Sequence, residues 1–160
     1  MNKQLKLAIK EVVYYTKILT KSRYSGVKAK AWAIISDFVR MRDFILYGTC
    51  VSCGKRITDY RNGDAGHYIT MGGHGALIGF CTDNIHLQCK HCNQNSGADI
   101  GAEFEREIIR RGVDIKYLNI LKNNSTKADD WFFLDLIIKT YKQFKDLKKK
   151  YPNFQYPDYL

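Results

Sequence analysis

Cys50-Val51-Ser52-Cys53-Gly54 and Asn84-Ile85-His86-Leu87-Gln88-Cys89-Lys90-His91-Cys92-Asn93 decide how this chain is organised. Each stretch carries a Cys-x-x-Cys pair, and 35 residues lie between Cys53 and Cys89. A two-residue gap lets two sulfurs on one tight turn reach the same ion, and four thiolates satisfy tetrahedral Zn²⁺. The rival reading, a redox Cys-x-x-Cys, needs a single pair in a βαβ setting and not two pairs flanking a hairpin. Cys50, Cys53, Cys89 and Cys92 are therefore expected to hold one structural zinc that staples two distant segments. Cys81 is left over and reads as a small buried hydrophobe.

Working outward from these pairs, residues 56–88 have the composition of strands and loops. Asn62-Gly63 is a turn dipeptide. A short strand is expected over 65–70 with His67 on it, and a second over 84–88. Residues 71–79 contain four glycines and read as a flexible or tightly turned loop, with no role assigned to His74. A helix is expected to begin near residues 90–92.

The flanks read as helical. Apolar residues recur at helical period over 5–19, and a second helix is expected over 27–44 with Ala31, Trp32, Ile35, Phe38 and Val39 on one face. Further helices are expected over 102–111, ended by Gly112, and over 113–121. The last is capped by Ser125 or Thr126 and runs to Lys148-Lys149-Lys150. Three segments follow: a basic helical region 1–46, a zinc-binding core 47–100, and a helical region 101–160 packing on that core. The fold class is α+β.

The formal charge of +10 is unevenly spread. Residues 1–46 hold ten Lys/Arg against three Asp/Glu, residues 47–112 balance seven against seven, and residues 113–160 hold nine against six. Basic arms around a neutral centre suit a site that binds a divalent metal while its flanks meet phosphates, so DNA is the expected partner. The triple lysine also suits its helix C-terminus without any contact to DNA. No apolar run is long enough to span a membrane. Met1-Asn2-Lys3 lacks the features of a secretory signal, so a cytoplasmic location is expected.

Zinc accounts for the cysteines but not for the polar residues beside them. Phosphodiester hydrolysis needs a base to activate water and a divalent cation to stabilise developing charge. A neutral imidazole suits the first task, and carboxylate or amide oxygens suit Mg²⁺ or Mn²⁺ in the second. His67 is thus a base candidate, Asp64 and Asn93 are ligand candidates, and His86 is the alternative ligand. The competing reading is a zinc module whose His67 is structural or touches DNA.

The two cysteine stretches, together with Asp64-Ala65-Gly66-His67-Tyr68 and Ser96-Gly97, resemble the phage lambda NinG (Rap) recombination endonuclease family. The resemblance covers roughly residues 31–150, including Arg40-x-Arg42-Asp43 and the lysine-rich last helix, and leaves the first thirty residues outside it. That family resembles the wider HNH, or ββα-metal, nucleases, whose zinc-stapled core is treble-clef-like. Carried over by position, the resemblance implies His67 as general base and Asn84 as the residue bracing the loop between the strands. It implies Asn93 as a ligand of the catalytic metal. Many HNH enzymes place a metal-binding Asp or His directly before the base; here that position is Gly66, and Asp64 is preferred to His86 for the missing ligand. The resemblance further implies a phage or prophage protein in a bacterial host, cutting Holliday junctions or displaced-strand loops, and a homodimer to match a symmetrical junction. A nuclease acting on ordinary duplex DNA is the alternative enzyme.

Overall fold

The computed structural model describes residues 26–72, 74–95, 98–124 and 128–156. The helix expected over 5–19, Ser96-Gly97 and the cap at Ser125 or Thr126 lie outside the described residues. In chain order the elements are α1 (Val27–Leu46), a 3-10 turn (Tyr60–Asn62), β1 (Gly63–His67), α2 (Gly75–Gly79), β2 (Ile85–Cys89), α3 (Lys90–Gln94), α4 (Ala98–Arg110), α5 (Ile115–Asn123) and α6 (Asp130–Lys150). Helices and, among the described residues, one small antiparallel sheet make this an α+β chain. It divides into two compact units, residues 34–129 and, among the described residues, 26–33 with 130–156. These units are drawn differently from the three segments read from composition.

Within the second unit, α6 buries Phe133, Ile137, Thr140, Tyr141 and Phe144. Their spacing of three or four residues is one helix face, as the sequence period requires.

The larger unit carries the candidate site. β1 pairs antiparallel with β2 in the register Asp64↔Gln88, Gly66↔His86, His67↔Ile85. Two strands alone are marginal in water, so this ribbon depends on what covers it. Val51 donates its N–H to the Leu87 carbonyl at 2.9 Å, laying the first cysteine turn along the outer edge of β2. The Leu87 N–H on that same edge donates to Asp43 Oδ2 at 2.9 Å. The exposed edge of a strand is thereby satisfied on both its donor and acceptor sides. A core of Val51, Ile78, Phe104, Ile108 and Leu118 joins the cysteine turn, α2, α4 and α5.

Asp43 is the polar hub of this unit and is fully buried. Its carboxylate accepts from Arg42 Nε at 2.7 Å, Arg111 Nη1 at 3.3 Å and the Leu87 N–H, and lies 3.0 Å from His86 Nδ1. Arg42 also reaches the carbonyls of Thr82 (3.0 Å) and Ile85 (3.1 Å), tying the end of α1 to β2. Arg111 stacks on Tyr47, its guanidinium carbon 3.9 Å from the ring centre. Burial pushes the Asp43 pKa upward, but Arg42 and His86 outweigh it and hold the carboxyl well below its ordinary 3.8.

Replacing Asp43 by Asn keeps the shape but removes the carboxylate paired with the largely buried Arg42 and leaves Arg111 with Glu107 alone. The expected loss is about 3–5 kcal/mol of unfolding free energy, read from urea titration of the two proteins. Because the folded-state pKa is depressed, the contribution is complete at neutral pH. It fades only as pH falls below 3.8 toward the lower folded value, so the gap between wild type and Asp43→Asn should narrow in acid. A variant as stable as wild type at pH 7 would rule out this ionic hub.

Three local expectations change. The glycine-bearing segment 71–79 is not all loop: α2 occupies Gly75–Gly79 and buries Ile78 completely. Burial of that side chain in the core outweighs the ~1 kcal/mol per glycine that disfavours helix. α5 begins at residue 115, because Asp114 caps it by accepting from the N–H groups of Lys116 and Tyr117. β1 starts at Gly63 and ends at His67, two residues earlier at each end than alternation suggested or slightly more.

Candidate metal centre and the polar site beside it

The first cysteine turn is closed by backbone bonds. Cys50 N–H donates to Lys55 O at 2.8 Å and Gly54 N–H to Cys50 O at 3.0 Å, with Gly54 at φ +67° where a side chain would be strained. The second pair sits where β2 becomes α3: Cys89 is the extended residue before the helix and Cys92 lies in its first turn. The four Sγ atoms all fall within 4.8 Å of one another, and Cys53 Sγ lies 3.9 Å from Cys89 Sγ. Sulfurs bound tetrahedrally at ~2.3 Å from Zn²⁺ stand roughly 3.8 Å apart, so this four-thiol set fits zinc. Cys50 and Cys92 are buried with Ile57 and Leu87, whereas Cys53 is exposed.

Asn93 follows Cys92, so the helix that carries one zinc thiol also positions this amide. Its Nδ2 donates to Asp64 Oδ2 at 3.1 Å, bringing two of the expected ligand residues into contact between α3 and β1. Asn93 is exposed and Asp64 half-buried, so solvent and solutes reach the pair.

His67 ends β1. Its Nε2 lies 2.9 Å from the Gly79 carbonyl oxygen, which fixes the proton on Nε2 and leaves Nδ1 as the acceptor nitrogen. Burial lowers its pKa below 6.5, and the Gly79 hydrogen bond only partly offsets this. Strand alternation sets residue 67 on the opposite face of β1 from Asp64 and Gly66.

Asn84 is fully buried. It accepts from Ile69 N–H at 2.8 Å and donates to the carbonyls of Ile69 (2.9 Å) and Ile78 (3.0 Å). One side chain thus fixes the segment leaving β1 and the end of α2, and with it the position of the Gly79 carbonyl that holds His67.

His86, the alternative ligand, is 3 % exposed and faces Asp43 and the Asp83 carbonyl (3.1 Å) with its two ring nitrogens. Neither nitrogen offers a lone pair to a cation beside Asp64; the residue belongs to the Asp43 hub. Cys81 is half-buried against the core, and burial raises its thiol pKa, in keeping with a hydrophobe. Sequence reasoning missed Asp43, Ser52 and Gln88, which join this site through contacts 36 to 44 residues apart in the chain.

A zinc-fitted ribbon running directly into a short helix, with polar groups gathered beside it, defines a small cysteine-clustered α+β protein. The chain belongs to the NinG family, whose model, described as bacteriophage lambda NinG protein, matches residues 3–150. It is 33 % identical over 102 residues to protein ninG of Escherichia phage 933W, covering 64 % of this chain and 47 % of that protein. Protein ninG of Escherichia phage lambda is 34 % identical over 95 residues, covering 59 % of this chain and 43 % of the relative. These matches thus span less than half the length of the curated relatives. No solved structure matches. The family match begins at residue 3, so residues 3–30, read above as outside the family, fall within it. No helix among the described residues is long and apolar enough to cross a membrane.

Proposed function

We propose that this protein is a metal-dependent endonuclease of the HNH, or ββα-metal, kind that cuts branched recombination intermediates. The observation that carries the reading is the Asp64–Asn93 contact at 3.1 Å, three residues from a histidine whose tautomer is set by the Gly79 carbonyl. Nδ1 of His67 takes a proton from water, and the resulting hydroxide attacks phosphorus. Asp64 and Asn93 offer hard oxygen donors suited to Mg²⁺ or Mn²⁺. Such a cation, when bound, stabilises charge on the phosphate oxygens and the leaving oxygen. Asn84 keeps the Gly79 carbonyl in place, and the expected products carry 5′-phosphate and 3′-hydroxyl ends. The exposed Lys55, Arg56, Arg61 and Lys90 of the same unit give the backbone of DNA its counter-charges. Preference for junctions and assembly as a homodimer rest on the family resemblance.

Cleavage of a labelled four-way junction beside a linear duplex of equal length, with Mg²⁺ or Mn²⁺, tests this. Selective cutting of the junction is expected. Equal cutting of both substrates would replace the reading by a general HNH nuclease. A second reading, a zinc-stapled DNA-binding module, draws on the alternation that sets His67 across the strand from Asp64. It requires tight binding with no cutting in either metal.

The pH profile follows from the base. Because burial depresses the His67 pKa, the neutral ring persists to lower pH than an ordinary histidine allows. Single-turnover cleavage should therefore stay on its plateau at pH 7 and fall away only below 6.5. An acid limb centred above 6.5 would exclude His67 as the base.

A further inference from the structure

Gly66 lacks a side chain where a Cβ would stand beside Asn93, and another residue fills the space. Gln88 Oε1 lies 1.8 Å from where a Cβ at position 66 would stand, and Asn93 Oδ1 lies 3.1 Å from the same point. Gln88 is opposite Asp64 in the sheet register, and a side chain there reaches diagonally across to residue 66. It is 4 % exposed, and its Nε2 donates to Ser52 Oγ at 2.6 Å, itself a buried residue. That bond turns the amide so that Oε1 faces Gly66 and Asn93. Among the described residues Oε1 accepts no hydrogen bond.

Asn93 is oriented in the same sense, its nitrogen toward Asp64 and its oxygen toward Gly66. Two amide oxygens thus face the space over Gly66, the Gln88 nitrogen being held by Ser52 and the Asn93 nitrogen by the Asp64 carboxylate. Acceptors gathered this way repel one another unless a cation lies among them. The set is all oxygen, carries one formal negative charge, and leaves sides open for water or phosphate. These are the requirements of Mg²⁺ or Mn²⁺ and not of Zn²⁺.

We infer that Gln88 binds a divalent cation through Oε1 together with Asp64 and Asn93, standing in for the side chain that residue 66 lacks. The inference rests on reading Asp64 and Asn93 as cation ligands. It explains why position 66 is glycine: any Cβ there would collide with the Gln88 amide.

The test is Mn²⁺ binding to the full zinc-loaded chain, followed by electron paramagnetic resonance and calorimetry, with zinc content and melting temperature measured in parallel. Wild type is expected to bind Mn²⁺ beside zinc. Gln88→Ala should weaken that binding by about 10- to 100-fold while zinc content stays at the wild-type level. In the Gln88→Ala background the Gln88 amide no longer blocks residue 66, which leaves Asn93 Oδ1 3.1 Å from the Cβ position, and Gly66 is not among the glycines at positive φ. Adding Gly66→Asp to Gln88→Ala should therefore restore Mn²⁺ binding by returning an oxygen ligand from the other strand. Gln88→Glu keeps the shape, adds charge and should tighten binding, which covers the case of an unstable alanine variant. Unchanged affinity in both Gln88 variants, with binding lost in Asn93→Ala, overturns the role of Gln88 and leaves the Asp64–Asn93 reading intact. Absence of Mn²⁺ binding to wild type overturns both.

Discussion

Replacing His67 by alanine is expected to lower metal-dependent cleavage by about 10²- to 10⁴-fold, the range that a positioned general base supplies. At 1.36 kcal/mol per decade this is roughly 3–5 kcal/mol of transition-state stabilisation. Stability should change far less. The variant loses the hydrogen bond to the Gly79 carbonyl and a half-buried ring, and Asn84 still holds that carbonyl segment through its bonds to Ile69 and Ile78. Zinc content and DNA affinity should stay close to wild type. The measurement is single-turnover cleavage under saturating metal, with DNA binding followed on the same preparations. Wild-type rates in the variant would remove His67 from the chemistry. Loss of cleavage and DNA binding together would instead mark it as a contact or a strut.

The second large effect is expected from removing the metal of the four-cysteine centre. The sheet of the larger unit has two strands, and its β2 edge is covered by the Cys50–Gly54 turn through the Val51 N–H to Leu87 carbonyl bond. A metal held by Cys50 and Cys53 on one side and by Cys89 and Cys92 on the other would join that turn to β2. Structural zinc contributes on the order of 10 kcal/mol in small zinc-dependent folds, comparable to the whole stability of a domain. Chelation, or Cys50→Ala at the buried thiol, should therefore abolish cooperative unfolding of residues 34–129. Amide exchange is the suitable observable, because Trp32 and Trp131 belong to the other unit and their fluorescence reports on it. Protection at Val51, Leu87 and Cys89 should collapse on chelation. Unchanged protection there would show that the apolar core alone holds the ribbon. The same treatment should also weaken Mn²⁺ binding, since Asn93 is placed by the helix that begins at the second cysteine pair.

How much was legible before the structure varies with the distance over which each feature is decided. The zinc ligands were, because a two-residue spacing between thiols is local chemistry that almost any fold must respect. Helices α1, α4 and α6 were, because a long apolar period survives errors of about four residues at its ends: α4 begins at residue 98 and not 102, and α6 at residue 130 and not directly after Ser125 or Thr126. Asp114 is a cap by residue type, whereas the apolar period alone starts the helix at Val113. The short helix α2 was hidden among glycines that argue locally for a loop; only burial of Ile78 reverses that argument. His86 looked like a spare ligand because a histidine beside zinc cysteines draws attention, whereas its pairing with Asp43 depends on α1 meeting β2.

The sequence by itself determined the four-thiol centre, the helical flanks, the excess of basic charge, and the short list of His67, Asp64 and Asn93 as groups able to do chemistry, to which only the family resemblance added Asn84. These follow from residue type, spacing and periodicity, which act over a few residues. Only the tertiary structure decided that Asp64 meets Asn93, that Asp43 gathers Arg42, His86 and Arg111, and that Gln88 fills the space over Gly66. Apart from the neighbouring Arg42–Asp43 pair, those pairings join residues 22 to 68 positions apart in the chain. The strand register and the packing of α1 and α4 on the ribbon select them, and no local preference of the residues involved encodes that choice.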